Sequence, residues 1–196
     1  GNARGIEVVG AGSTSIGGSL AGEGNVIAWN RREGILVGGT SDSTPSNAIR
    51  GNAIFDNGGL GIDLIGGAGV TPNDLGDEDD GGNRLQNFPV ITNVSRSQAG
   101  VSVSGTLSST PRTLYQVEIF ASPACDPSGY GEGARLIATA SATTDDAGMA
   151  TFMATVTTGT VAAAITATAT DPGGNTSELS RCSGDAGLIV NRATDE

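Results

Sequence analysis

A chain of 196 residues has room for one large domain or two small ones. Its 32 glycines and 4% aromatics exclude a fold of long amphipathic helices and favour short strands joined by many turns, an all-β chain. All ten basic residues are arginine against 21 acidic ones, so a net charge of −11 repels phosphate backbones and excludes nucleic acid as a partner, while the absence of His and Lys removes the usual triads and Schiff-base chemistry.

The first half carries an internal repeat. Gly24, Asn25, Ile27, Asn30, Gly34 and Ile35 recur as Gly51, Asn52, Ile54, Asn57, Gly61 and Ile62 at a constant offset of 27, and Gly5-Ile6-Glu7-Val8 matches the segment at Gly34 at an offset of 29. Each unit reads as two short strands, such as Val26–Trp29 and Ile35–Val37, separated by Asn and Gly that accept left-handed backbone angles. Neither strand folds alone. Stacked coil on coil, Ile27 lies over Ile54, Ile35 lies over Ile62, and Asn30 over Asn57 forms an amide ladder, the physics of a parallel β-helix of about three coils. A leucine-rich repeat shares the period but needs more Leu and a helical half. Val9-Gly10-Ala11-Gly12-Ser13 imitates the start of a dinucleotide loop, yet lacks the third glycine and the following helix, and reads as a coil corner.

The coils run into an acidic junction with five carboxylates between Asp74 and Asp80. Asp77, Asp79 and Gly81 form a D-x-D-x-G run in which alternating carboxylates converge on a hard cation while glycine turns the chain back. Asp74, Asn83 and Asp63 are the further oxygen donors, and calcium is the expected ion. The alternative is a solvated acidic loop.

From Phe88 the 27-residue pattern ends and alternating strands follow: 90–95, 101–107, 114–121, 135–142, 150–156, 164–170 and 177–182. Seven strands in about 100 residues suit a Greek-key sandwich, with Thr144–Gly148 and Asp171–Asn175 as hairpin turns. The expected organisation is therefore a β-helix over 1–87, a sandwich over 88–183 and a tail over 184–196. Cys125 and Cys182 are too few for a zinc site; they read as a bridge from the loop after the 114–121 strand to the last strand, which fits an oxidising compartment, with two buried free thiols as the alternative.

These coils, the junction from Gly61-Ile62-Asp63-Leu64 to Gln86-Asn87-Phe88-Pro89, and the segments Cys125-Asp126-Pro127-Ser128-Gly129-Tyr130 and Ala169-Thr170-Asp171-Pro172-Gly173-Gly174-Asn175 resemble the C-terminal part of secreted bacterial right-handed parallel β-helix proteins with an Ig-like domain, many of which open with a CSLREA segment. The resemblance covers nearly everything up to Ser183; that opening segment is absent here, and the tail does not match. It implies a short right-handed parallel β-helix followed by an Ig-like antiparallel β-sandwich, an extracellular or cell-surface location, a structural or adhesive role, and no enzymatic site.

Three function classes compete. The expected one is a non-enzymatic extracellular structural module, a filament or surface-layer subunit that self-associates through the open β-helix end or through the tail, whose Leu188-Ile189-Val190 is strand-like. A carbohydrate-binding adhesin is the second, with Trp29 and Tyr130 as sugar-stacking candidates that otherwise pack on the core or the Cys125 loop. The third is a fragment of a β-helix polysaccharide lyase or hydrolase, which needs Arg50 or Arg84 beside a metal, or two carboxylates facing one groove; nothing in the sequence brings Glu7 and Asp63 together for that purpose.

Overall fold

The computed structural model describes residues 1–38, 44–65, 67, 69–97, 100–156 and 164–183. Leu188, Ile189 and Val190, on which assembly through the tail rests, lie outside the described residues.

The first half forms strands β1 (Ile6–Val8), β2 (Ser15–Gly17), β3 (Val26–Ala28), β4 (Ile35–Val37), β5 (Ala48–Arg50), β6 (Ala53–Phe55) and β7 (Ile62–Asp63). They stack as three parallel sheets, β1–β4–β7, β2–β5 and β3–β6, which makes two complete coils and the start of a third. The registers are those of the repeat: Ile27 pairs with Ile54, Ile35 with Ile62, and Ile6 with Ile35. Each coil has three strands, not the two expected. The missed pair, Ser15–Gly17 against Ala48–Arg50, sits at an offset of 33, because the loop before β5 is four residues longer than its counterpart and the one after it six shorter. Val8, Ile16, Ile27, Ile35, Val37, Ile49, Ile54, Ile62 and Leu64 fill the interior as one apolar column.

Strands β8 (Val90–Ser97), β9 (Gly100–Ser108), β10 (Leu114–Ser122), β11 (Arg135–Thr143), β12 (Met149–Val156) and β13 (Ala164–Thr170) build an antiparallel sandwich, with sheet β12–β9–β8 facing sheet β11–β10–β13. Alternate residues of both sheets, among them Val103, Leu107, Tyr115, Val117, Ile119, Phe152 and Ile165, form its core. Thr144–Gly148 is not a hairpin within one sheet: it carries the chain from β11 across to β12 in the facing sheet. Asp145 holds that corner by accepting the amides of Ala147 and Met149.

The expected seventh strand, 177–182, is not a regular strand. The chain runs beside β13, but Ser177 and Ser180 supply part of the ladder with their side chains, their hydroxyl oxygens accepting from the amides of Ala169 and Ala167. Disulfide Cys125–Cys182 ties the β10–β11 connection to this segment.

The two halves share a face. Every residue of β13 is buried, as is β10 from Val117 onward, although a two-layer sandwich leaves one side of each sheet in water. The last coil covers that side, and Phe120 and Leu179 join the coil column.

Candidate functional site

Two constructions meet at the joint between coil and sandwich. The first is a set of acceptors for the backbone amides that the last coil turns toward the sandwich. In a parallel stack each coil satisfies its neighbour, so the terminal coil needs partners from elsewhere.

Inside the helix, Asn30 donates its backbone N–H (3.2 Å) and side-chain Nδ2 (2.8 Å) to Oδ1 of Asn57. The amide ladder expected from the repeat is present. Asn57 then donates its own N–H (3.1 Å) and Nδ2 (2.9 Å) to Oε1 of Glu132, a residue of the sandwich. Glu132 thus occupies the place of the next asparagine. The same grammar holds on another face: Thr14 N donates to Asn47 Oδ1, and Asn47 N donates to Asn83 Oδ1.

The sandwich supplies the other acceptors. Gly51 N donates to Glu118 Oε2 at 2.9 Å, Ile49 N to Thr176 Oγ1 at 2.9 Å, and Ser46 N to Asn175 Oδ1 at 2.6 Å. Glu178 accepts Leu64 N at 3.0 Å and Thr71 N at 2.7 Å. Ile54 and Gly133 exchange both backbone bonds at 2.9 Å. Glu118, Glu132 and Glu178 are 1%, 7% and 2% exposed, and burial pushes the carboxyl pKa of each upward, Glu178 to about 7, against the opposing pull of the amides they accept. Glu118 has a cation nearby, Arg50 Nε at 3.8 Å.

The second construction is the acidic loop. Carboxylate oxygens of Asp74, Asp77 and Asp79 lie within 4.8 Å of one another, the spread that oxygens on one calcium ion span at 2.3–2.6 Å per bond. Asp77 is fastened to the sandwich, accepting from Asn87 N at 2.8 Å and from the Ser109 hydroxyl, whose oxygen also lies 2.7 Å from Tyr115 OH. Burial first, and the neighbouring Asp74 and Asp79 next, raise Asp77 to about 6; Asp79 is raised by burial and by Asp74. Asp74 Oδ1 and Asp79 Oδ1 are buried with no hydrogen-bond donor, and an orphaned carboxylate oxygen is costly. The donor set is hard oxygen throughout, so the cluster could hold an ion such as calcium.

Two expected ligands stand elsewhere. Asn83 is fully buried in the asparagine ladder, where its Nδ2 donates to Asn47 O and Thr176 O while Oδ1 accepts Asn47 N. The turn Asn83–Leu85 that presents it has three successive positive φ angles, 47°, 54° and 50°, a conformation asparagine tolerates. Asp63 lies on β7, accepts Ile65 N, and is close enough to Glu178 to raise its pKa; it is not among the clustered carboxylates.

Glu118, Glu132, Glu178, Asn175 and Thr176 were not foreseen. A glutamate within a strand reads as solvent-facing, yet Phe120, two residues beyond Glu118 on the same side, marked that face as buried.

The remaining candidates are scattered. Arg84 is exposed, Arg32 pairs with Glu33 at 3.3 Å, and Glu7 pairs with Arg4 at 3.1 Å. Tyr130 packs edge-on against Phe88, at 5.6 Å between ring centres. Trp29 touches Phe55 edge-on at 5.4 Å but stays 65% exposed. Comparison with protein-family models and with curated proteins finds no match to this chain. The disulfide points to an oxidising, extracytoplasmic setting, and among the described residues no helix is long and apolar enough to cross a membrane.

Proposed function

We propose that this chain is a non-enzymatic extracellular structural module in which an Ig-like sandwich closes one end of a parallel β-helix and calcium, held by Asp74, Asp77 and Asp79, fastens the junction loop. The observation that carries this reading is the substitution of Glu132 for the next rung of the asparagine ladder. A surface built to terminate coil stacking spends its buried polar groups on architecture: Glu118, Glu132 and Glu178 each accept backbone amides of the coil side, although Glu132 also borders a cleft of about 230 Å³ beside Asp126. With that end covered, coil-on-coil stacking stops at the sandwich.

Calcium titration against thermal unfolding tests the proposal. At 100 times its dissociation constant, calcium raises stability by about 2.7 kcal/mol, seen as a higher Tm. Asp77→Ala with Asp79→Ala abolishes the rise; a melting curve that calcium and chelator leave unchanged overturns the calcium assignment. A carbohydrate-binding role is the second reading, favoured by the exposed ring of Trp29 beside Phe55. Glycan-array binding lost in Trp29→Ala supports it, and an array without signal removes it.

A further inference from the structure

We propose that the joint between the sandwich and the last coil is a pH-responsive latch built on the buried carboxyl groups of Glu118, Glu132 and Glu178, closed at low pH and loosened as Glu178 ionises. The proposal goes beyond the structural role and is independent of the acidic loop. Between one coil and the next, the acceptors of backbone amides are neutral: Asn47, Asn52 and Asn57 Oδ1 and backbone carbonyls. At the joint three of them are replaced by buried carboxyl groups, and a carboxyl group can acquire charge where an amide cannot.

The surroundings do little to compensate that charge. Asp63, also acidic, faces Glu178 from β7, and Asp126 faces Glu132 from the β10–β11 connection. Among the described residues neither Glu132 nor Glu178 is in an ion pair. Arg50 faces Glu118 from β5, but Arg50 Nε and Glu118 Oε1 are both without a hydrogen-bond partner. Ionisation therefore places negative charge in a low-dielectric seam, a cost that local opening to water relieves.

The sign follows from Glu178, lifted to about 7 from an ordinary value of 4.5. Between those values the closed joint keeps a proton that the opened joint releases. The stabilisation is fully present below the ordinary carboxylate range and is lost as pH rises through about 7.

Hydrogen exchange of the full chain in chelator, at pH 5, 6.5 and 8 and corrected for intrinsic rates, tests the latch. Protection of the Leu64 and Thr71 amides should fall on the order of tenfold or more from pH 5 to pH 8, while that of Ile35, deep in the coils, holds. In Glu178→Gln the extra fall at Leu64 and Thr71 should vanish. Equal protection across the range in the wild-type chain overturns the latch even if that variant fails to fold, and so does an undiminished fall in a folded Glu178→Gln. A latch that fails while calcium still raises Tm leaves the structural reading standing.

Discussion

The step from Asn30 to Asn57 lies within the β-helix, and the step from Asn57 to Glu132 leaves it, yet both use two donors of one asparagine on one oxygen. Geometry is kept and chemistry changes. An amide column is indifferent to pH and extends indefinitely, because each asparagine accepts from one neighbour and donates to the next. Glu132 accepts both donors of Asn57 and, among the described residues, its side chain hands no hydrogen bond to a further coil, so the column ends there. The difference teaches how a repeat of open-ended geometry is terminated: by a residue that reproduces the acceptor half of a rung and omits the donor half.

The comparison breaks most severely at the residue shared by both steps. Asn57→Ala removes the acceptor for both donors of Asn30 and the Nδ2 donor to Glu132, though not the backbone N–H, leaving several buried polar groups without partners at roughly 3–5 kcal/mol. Asn25→Ala, at the partly buried Asn25–Asn52 pair, should cost only about 1 kcal/mol. Urea denaturation of both variants provides the check; equal losses would mean that the column transmits nothing to the joint.

The next effect separates the two steps by acting on one alone. Cys125 and Cys182 close a separation of 57 residues and brace the connection that carries Glu132, so Cys125→Ser with Cys182→Ser should cost roughly 2–4 kcal/mol. Exchange protection should fall first at Asn57 and Ile54, whose partners Glu132 and Gly133 lie on that connection, and last at Asn30. A uniform fall would show that the bridge acts on the whole chain and not on the joint.

The ladder and the joint also differ in how far the sequence revealed them. Ile27, Ile54, Ile35 and Ile62 were legible as a column because identical apolar residues at one offset have no other economical use. Ser15–Gly17 and Ala48–Arg50 were hidden because two loops change length in opposite directions around them. In the acidic loop the sequence supplied Asp74, Asp77 and Asp79, since carboxylates crowded in a short segment must converge or repel. It misplaced Asn83, which follows closely on the acidic run in the chain but whose neighbour in space is Asn47. The glutamates of the joint were out of reach, because their meaning depends on a coil more than fifty residues away in sequence. Local patterns expose periodic contacts; a surface that ends a period is itself aperiodic.

The smallest expected effect is also the most discriminating, since it restores the amide at the end of the column. In Glu132→Gln, a single side-chain oxygen can still accept both Asn57 N and Asn57 Nδ2, as Asn57 Oδ1 does for Asn30. No donor of Asn57 is orphaned. What the substitution removes is the ionisable group, whose pKa burial raises and the nearby Asp126 raises further, so that at neutral pH the wild-type joint bears a cost the variant escapes. The variant should therefore melt slightly higher than the wild-type chain at pH 8, match it near pH 4, and show a shallower decline of Tm between them. The new NH2 group must find its own acceptor, and a backbone carbonyl or water beside the joint suffices because Glu132 is 7% exposed. Calorimetry at the two pH values in chelator reads the outcome. If Glu132→Gln is destabilising at pH 8 and not near pH 4, the carboxylate is preferred for its charge and the analogy between Glu132 and a terminal asparagine fails.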